Sequence, residues 1–157
     1  MGTSGQRARK ARPGFDNEVR VRLYDFFVAE GRPPVAAELA GALDATAAQV
    51  EAAYRRLAEA HVLTLAPGTP YVWMATPLSA VPTPFQVQAG DRNFFGNCIW
   101  DAVGILAMLE EHGGVRTWCP DCSEPLALSV AGGAVSGDGI VHYSVPATRW
   151  WEDIGST

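Results

Sequence analysis

Apolar residues recur at helical spacing from the start of the folded pattern. Val19, Leu23, Phe26 and Phe27 share one face of a helix predicted over residues 15–31, with Gly31 as its stop. After Pro33-Pro34, the run VAAELAGALD predicts a second, short helix with Val35, Leu39 and Leu43 on one face. Thr46-Ala47-Ala48-Gln49 is a capping box, in which hydroxyl and amide side chains satisfy each other's backbone N–H groups. It opens a third helix, residues 47–60, with Val50, Ala53, Tyr54 and Leu57 inward. VLTL and YVWMA then flank Ala66-Pro67-Gly68-Thr69-Pro70, a hairpin signal. Three helices and a hairpin make residues 15–75 a winged-helix-like module.

The pattern changes at residue 76. TPLSAVPTPFQVQAG (76–90) holds three prolines and no charge, which predicts a linker ending in a short strand at 85–88. Residues 91–97 read as a turn-rich loop. Helical spacing returns from 98 to 111 through Ile99, Val103, Ile105, Leu106 and Leu109, with Asn97 as the expected N-cap and His112-Gly113-Gly114 as the stop. Strands are predicted at 115–119, 126–130 and 140–145. The whole is α+β: a three-helix module with a hairpin, then a small mixed sheet with a helix over 91–157.

Charge alters the picture at one end. The net charge is −5, yet Arg7, Arg9, Lys10 and Arg12 concentrate four of the twelve positive charges in residues 1–14. That stretch reads as a basic disordered tail. The remainder has eight positive against seventeen negative charges, −9, and repels phosphate backbones. The third helix sets Arg55 and Arg56 against Glu51 and Glu59, so it presents no net positive face to DNA. No specific nucleic-acid partner is expected. No apolar run approaches the roughly 18–20 residues of a membrane span, and the basic N-terminus lacks an apolar signal core. The expected location is the cytoplasm, with no membrane partner.

Three cysteines, Cys98, Cys119 and Cys122, are too few and too odd for a disulfide framework and point to thiol or metal chemistry. Cys98 falls at a predicted helix N-terminus, where free N–H groups favour an anion, so its thiol pKa is expected to fall. Asp101, three residues on, lies over the same face, and a nearby thiolate raises its pKa toward that of a useful acid. A soft thiolate and a proton-carrying carboxyl together suit attack on a metal–carbon bond. Taken alone, C-x-x-D also fits a buried cysteine beside a dipole-favoured aspartate. Cys119-Pro120-Asp121-Cys122 fits a structural turn, a pair of metal ligands or a redox pair. His142 reads as a half-buried strand residue, and Trp150-Trp151 as a core or interface anchor.

Context narrows these alternatives. The runs FFGNCIWDAVGILAML, VRTWCPDCSEPLALSV and VHYSVPATRWWEDI resemble, in order and spacing, the organomercurial (alkylmercury) lyase family. The resemblance covers residues 19–154. It implies protonolysis of a carbon–mercury bond, with Cys98 as the thiolate that attacks mercury and Asp101 as the proton donor to carbon. It also implies a small organometallic substrate, small thiols as acceptors of Hg(II), and no required cofactor. Zinc or another soft metal at Cys98, Cys119 and Cys122 is the metal expectation. The family has a second catalytic cysteine a few residues beyond the Trp-rich segment, with further secondary structure after it; no cysteine follows Cys122 here, so the chain reads as a C-terminally shortened member whose residues 91–157 form a partial catalytic domain. A homodimer covering an open sheet edge is expected on the same ground. Two other functions fit the residues: a family-fold protein that binds a metal or runs another reaction at Cys98 and Asp101, and a metal-responsive winged-helix regulator.

Overall fold

The computed structural model describes residues 13–155; the basic tail lies outside them except for Pro13 and Gly14. Helix α1 (Phe15–Glu30) buries Phe15, Val19, Leu23 and Phe27, one residue per turn, and ends at Gly31. Helix α2 (Ala36–Ala40) is shorter than the ten-residue run expected. Its chain turns at residues 41–44, and Val35 stays exposed while Leu39 and Leu43 are buried. Helix α3 (Ala47–Glu59) opens with the predicted capping box: Gln49 N–H donates to Thr46 Oγ1 at 3.2 Å, and Thr46 N–H donates to Gln49 Oε1 at 2.9 Å. Val50, Ala53, Tyr54 and Leu57 face inward. Arg56 clamps α3 to α1 through both carboxylate oxygens of Asp16, at 2.8 and 2.6 Å.

Strands β1 (Thr64–Leu65), β2 (Val72–Ala75) and β3 (Leu78–Ser79) form a three-stranded antiparallel sheet. The third strand falls inside the stretch expected as a linker. Leu78 and Ser79 are buried because the chain reverses at Pro77 and pairs straight back onto β2. A second sheet runs β5-β4-β6-β7-β8, built from β4 (Gln86–Ala89), β5 (Arg92–Phe95), β6 (Gly113–Trp118), β7 (Pro125–Ala131) and β8 (Ala134–Ser136). Every pairing is antiparallel, so the sheet expected to be mixed is not. Residues 92–95, expected as loop, pair along β4 because Gly90 and Asp91 make a tight reversal. Residues 140–145 form no strand despite their alternation; the edge is taken by β8.

Helix α4 (Ile99–Met108) lies across β3, β4 and β6. Its Ala102, Ile105 and Leu106 are fully buried, in one core with Leu78, Val87 and Val115. That core runs on without a break into the helices of the N-terminal half. Burying each such leucine or isoleucine contributes roughly 1.5–3 kcal/mol, enough to fix the start of α4 against the sheet. Among the described residues no helix is long and apolar enough to cross a membrane.

Candidate functional site

Helix α4 begins on Cys98, not on Asn97. Cys98 is the N-cap, in extended conformation, and its Sγ accepts the Asp101 backbone N–H at 3.4 Å. A thiol here takes the place usually held by a serine or aspartate oxygen. Asn97, released from capping, holds the carboxyl instead: its Nδ2 donates to Asp101 Oδ2 at 2.9 Å. Asn97 Oδ1 is buried without a partner among the described residues. One helical turn thus carries the thiol, the carboxyl and the amide that holds it.

Gly96 makes this arrangement sterically feasible. A Cβ at that position would stand 2.6 Å from the Ala102 nitrogen and 2.7 Å from its Cα, both backbone atoms of α4. The Gly96 backbone is held from both sides, its N–H on Phe85 O at 3.0 Å and its carbonyl accepting from Thr83 Oγ1 at 2.6 Å.

Cys98 and Asp101 line a cleft of about 550 Å³. One wall is Trp73 and Met74 of β2; the other is the chain at 141–145 and the turn Ala147–Glu152, a 3-10 helix. Trp100, Tyr143, Trp150 and Trp151 give the cleft a strongly aromatic lining. The second wall is fastened by three contacts. Trp150 Nε1 donates to Val145 O at 2.8 Å, and Trp151 stacks on His61 with ring centroids 4.0 Å apart. Gly155 lies so close to the Trp73 ring that a Cβ would stand 2.7 Å from it. The tryptophan pair, expected as a core or interface anchor, is not in the core: Trp151 is exposed, Trp150 is half-buried, and both line the cleft.

The electrostatics differ from expectation at Cys98. Burial pushes its thiol above the usual range, and the N–H bond from Asp101 offsets this only in part. The N-terminal position of α4 was expected to lower it, but loss of water costs the thiolate more than the Asp101 and Trp100 N–H groups return. The Tyr143 hydroxyl acts on the same sulfur as a hydrogen-bond partner and favours its ionised form. Asp101 is raised, as expected, though burial is the cause and Asn97 opposes it. A carboxyl so placed keeps its proton to higher pH than a solvated one.

The three cysteines expected as metal ligands do not share a site. Cys119 and Cys122 sit in the turn joining β6 and β7, outside the cleft lining. Among the described residues no three of His, Cys, Asp and Glu stand together as a metal-holding group. Cys119, not Cys98, is the thiol held below its usual range, by backbone N–H groups of Cys122 and Asp121. Sequence reasoning missed Asn97 as the partner of Asp101, Tyr143 as the partner of Cys98, and Trp73 as a wall. Tyr143 was within reach: it sits in the aromatic position after His142, in a run already singled out.

Residues 78–157 match the sequence pattern of the family described as MerB: Alkylmercury lyase. A crystal structure of the mercury-bound form of MerB2 is similar to 81% of this chain, with TM-score 0.62 and 19% sequence identity. At that identity the likeness is one of fold, and this chain covers 60% of the length of that one. No curated protein matches the chain in sequence.

Proposed function

The chain belongs to the alkylmercury lyase family, and from that premise we propose that it cleaves carbon–mercury bonds with Cys98 as mercury ligand and Asp101 as proton carrier. The observation that carries the reading is their placement. Sulfur and carboxyl share the first turn of α4, with the Asp101 N–H on Cys98 Sγ at 3.4 Å and both groups lining one aromatic cleft.

The reaction needs two proton transfers, with one thiol exchange at mercury on entry and another on release. An organomercurial cation, R–Hg⁺, delivered by exchange from a small thiolate, meets the Cys98 thiol. The sulfur–mercury bond forms as the thiol proton passes to the Asp101 carboxylate. The carboxylic acid then gives this proton to the carbon: the C–H bond forms as the C–Hg bond breaks, and its electron pair stays with carbon. R–H leaves, Asp101 returns to carboxylate, and Hg(II) remains on Cys98 until a small thiol takes it. Burial favours each participant in its neutral state, the thiol before attack and the acid before protonation. Asn97 can serve both states of Asp101. Its Nδ2 donates to the carboxylate as observed, and a rotated amide would offer its otherwise unpartnered Oδ1 to the acid's O–H. The aromatic walls suit an apolar R group.

Release of benzene from phenylmercury in excess small thiol tests the reading. Cys98→Ser should abolish turnover. Asp101→Asn, which keeps the shape and loses the proton, should lower it by about 10²–10⁴-fold, the usual weight of a general acid. Undiminished turnover in Cys98→Ser refutes the mechanism.

A further inference from the structure

The turn between β6 and β7 is built around its two thiols. Cys119 N–H donates to Glu124 O at 2.8 Å and Ser123 N–H donates to Cys119 O at 2.9 Å, so the reversal is closed at both levels. Ser123 takes a φ of +62°, which turns the chain sharply after the second cysteine. Pro120 restricts the backbone between the two cysteines and needs no hydrogen-bond acceptor. The backbone N–H groups of Cys122 and Asp121 hold the Cys119 thiol below its usual range. Both cysteines are free; Cys119 is partly exposed and Cys122 exposed. Two free thiols, three residues apart, thus leave one closed turn at the surface.

The donor count selects the ligand. A structural zinc site takes four ligands. Among the described residues no third His, Cys, Asp or Glu joins this pair to make a metal-holding group. Two soft donors suit a soft cation that accepts two ligands. We propose that Cys119 and Cys122 form a two-thiolate site for a two-coordinate thiophilic cation; the choice of Hg(II) as that cation rests on the proposed lyase reaction. Loading is ligand exchange without change of oxidation state. Hg(II) carried by two small thiolates exchanges both for the two cysteines: two S–Hg bonds form, two break, and the two cysteine protons leave on the small thiols. The second exchange is intramolecular, so the pair outcompetes free monothiols, which a single cysteine does not.

The test uses the reduced full chain carrying Cys98→Ser, loaded with one equivalent of mercuric chloride and challenged with excess glutathione. Native mass spectrometry should show one mercury ion retained per chain. Adding Cys119→Ser or Cys122→Ser should weaken retention by about 10²-fold or more, the gain expected from joining two donors. Equal retention in either single-thiol variant, or loss of mercury from Cys98→Ser alone, overturns the proposal. A zinc(II) arm should give no retained metal; one zinc held between two chains by four cysteines would overturn the two-coordinate assignment. Benzene release by the unsubstituted chain is measured separately, so failure of the lyase reading leaves the mercury-retention result standing by itself.

Discussion

Replacing Gly96 by alanine probes how the site is held in place. The added Cβ would meet Ala102 at its nitrogen, Cα and Cβ at 2.6, 2.7 and 2.9 Å. Neither side can give way cheaply. Ala102 is fully buried, and Gly96 is fixed by hydrogen bonds to Phe85 and Thr83. Overpacking of this kind costs about 1–3 kcal/mol. For a chain of this size each kcal/mol lowers the melting temperature by roughly 2–4 °C, so a fall of roughly 2–12 °C is expected in a thermal melt. The strain is relieved most readily by displacing the start of α4, which carries Cys98 and Asp101. A misplacement near 1 Å is enough to cost about 10²-fold in rate, so benzene release should fall further than stability alone implies. Adding Ala102→Gly should not rescue either property, because the two shortest contacts are to backbone atoms that glycine retains. Unchanged melting and turnover in Gly96→Ala, or full rescue by Ala102→Gly, would refute the close approach as the reason for glycine here.

Three further outcomes are expected. Iodoacetamide near pH 7, mapped by peptide mass, should modify Cys119 faster than Cys98, since backbone N–H groups lower the one and burial raises the other; the reverse order contradicts both assignments. With Cys119 and Cys122 replaced by serine, Tyr143→Phe should move the alkylation profile of Cys98 to higher pH, because the hydroxyl favours its thiolate; an unmoved profile removes Tyr143 from the site. Asp16→Asn should destabilise by about 1 kcal/mol or less at pH 7, as the pair with Arg56 is partly exposed and screened by solvent. Arg56 lowers the folded pKa of Asp16 from 3.8, so this stability is present above that value and lost as pH falls below it; urea unfolding should show the two proteins converging as pH falls below 3.8.

What the residue pattern discloses depends on how local the cause is. The Thr46–Gln49 box and the inward set Val50, Ala53, Tyr54 and Leu57 depend on neighbours within two helical turns, and they are where the spacing puts them. Strand β3 is a two-residue reversal onto β2 hidden in a proline-rich stretch, and the sheet edge beyond β7 is held by β8 rather than by residues 140–145; period-two alternation reveals neither. At the site, the pairing of Cys98 with Asp101 is an i, i+3 relation and was legible. The direction of the Cys98 shift was not. It turns on burial of the sulfur, and no helix-end argument contains that quantity. Asn97 could only be placed once Cys98 had taken the capping position it was expected to fill.

The region that carries the family pattern begins at residue 78, yet the cleft does not. Trp73 and Met74 precede that boundary and form a wall, while His61, further upstream, holds Trp151 in its stack. Tyr24 of α1 donates to the Thr76 carbonyl at 2.8 Å, at the bend where β2 gives way to β3. Grafting the family region onto another N-terminal module would therefore transplant Cys98 and Asp101 without this wall. On the proposed reaction, the size and shape of the organic group that such chimaeras accept should follow the donor of the N-terminal half as much as the donor of the cysteine.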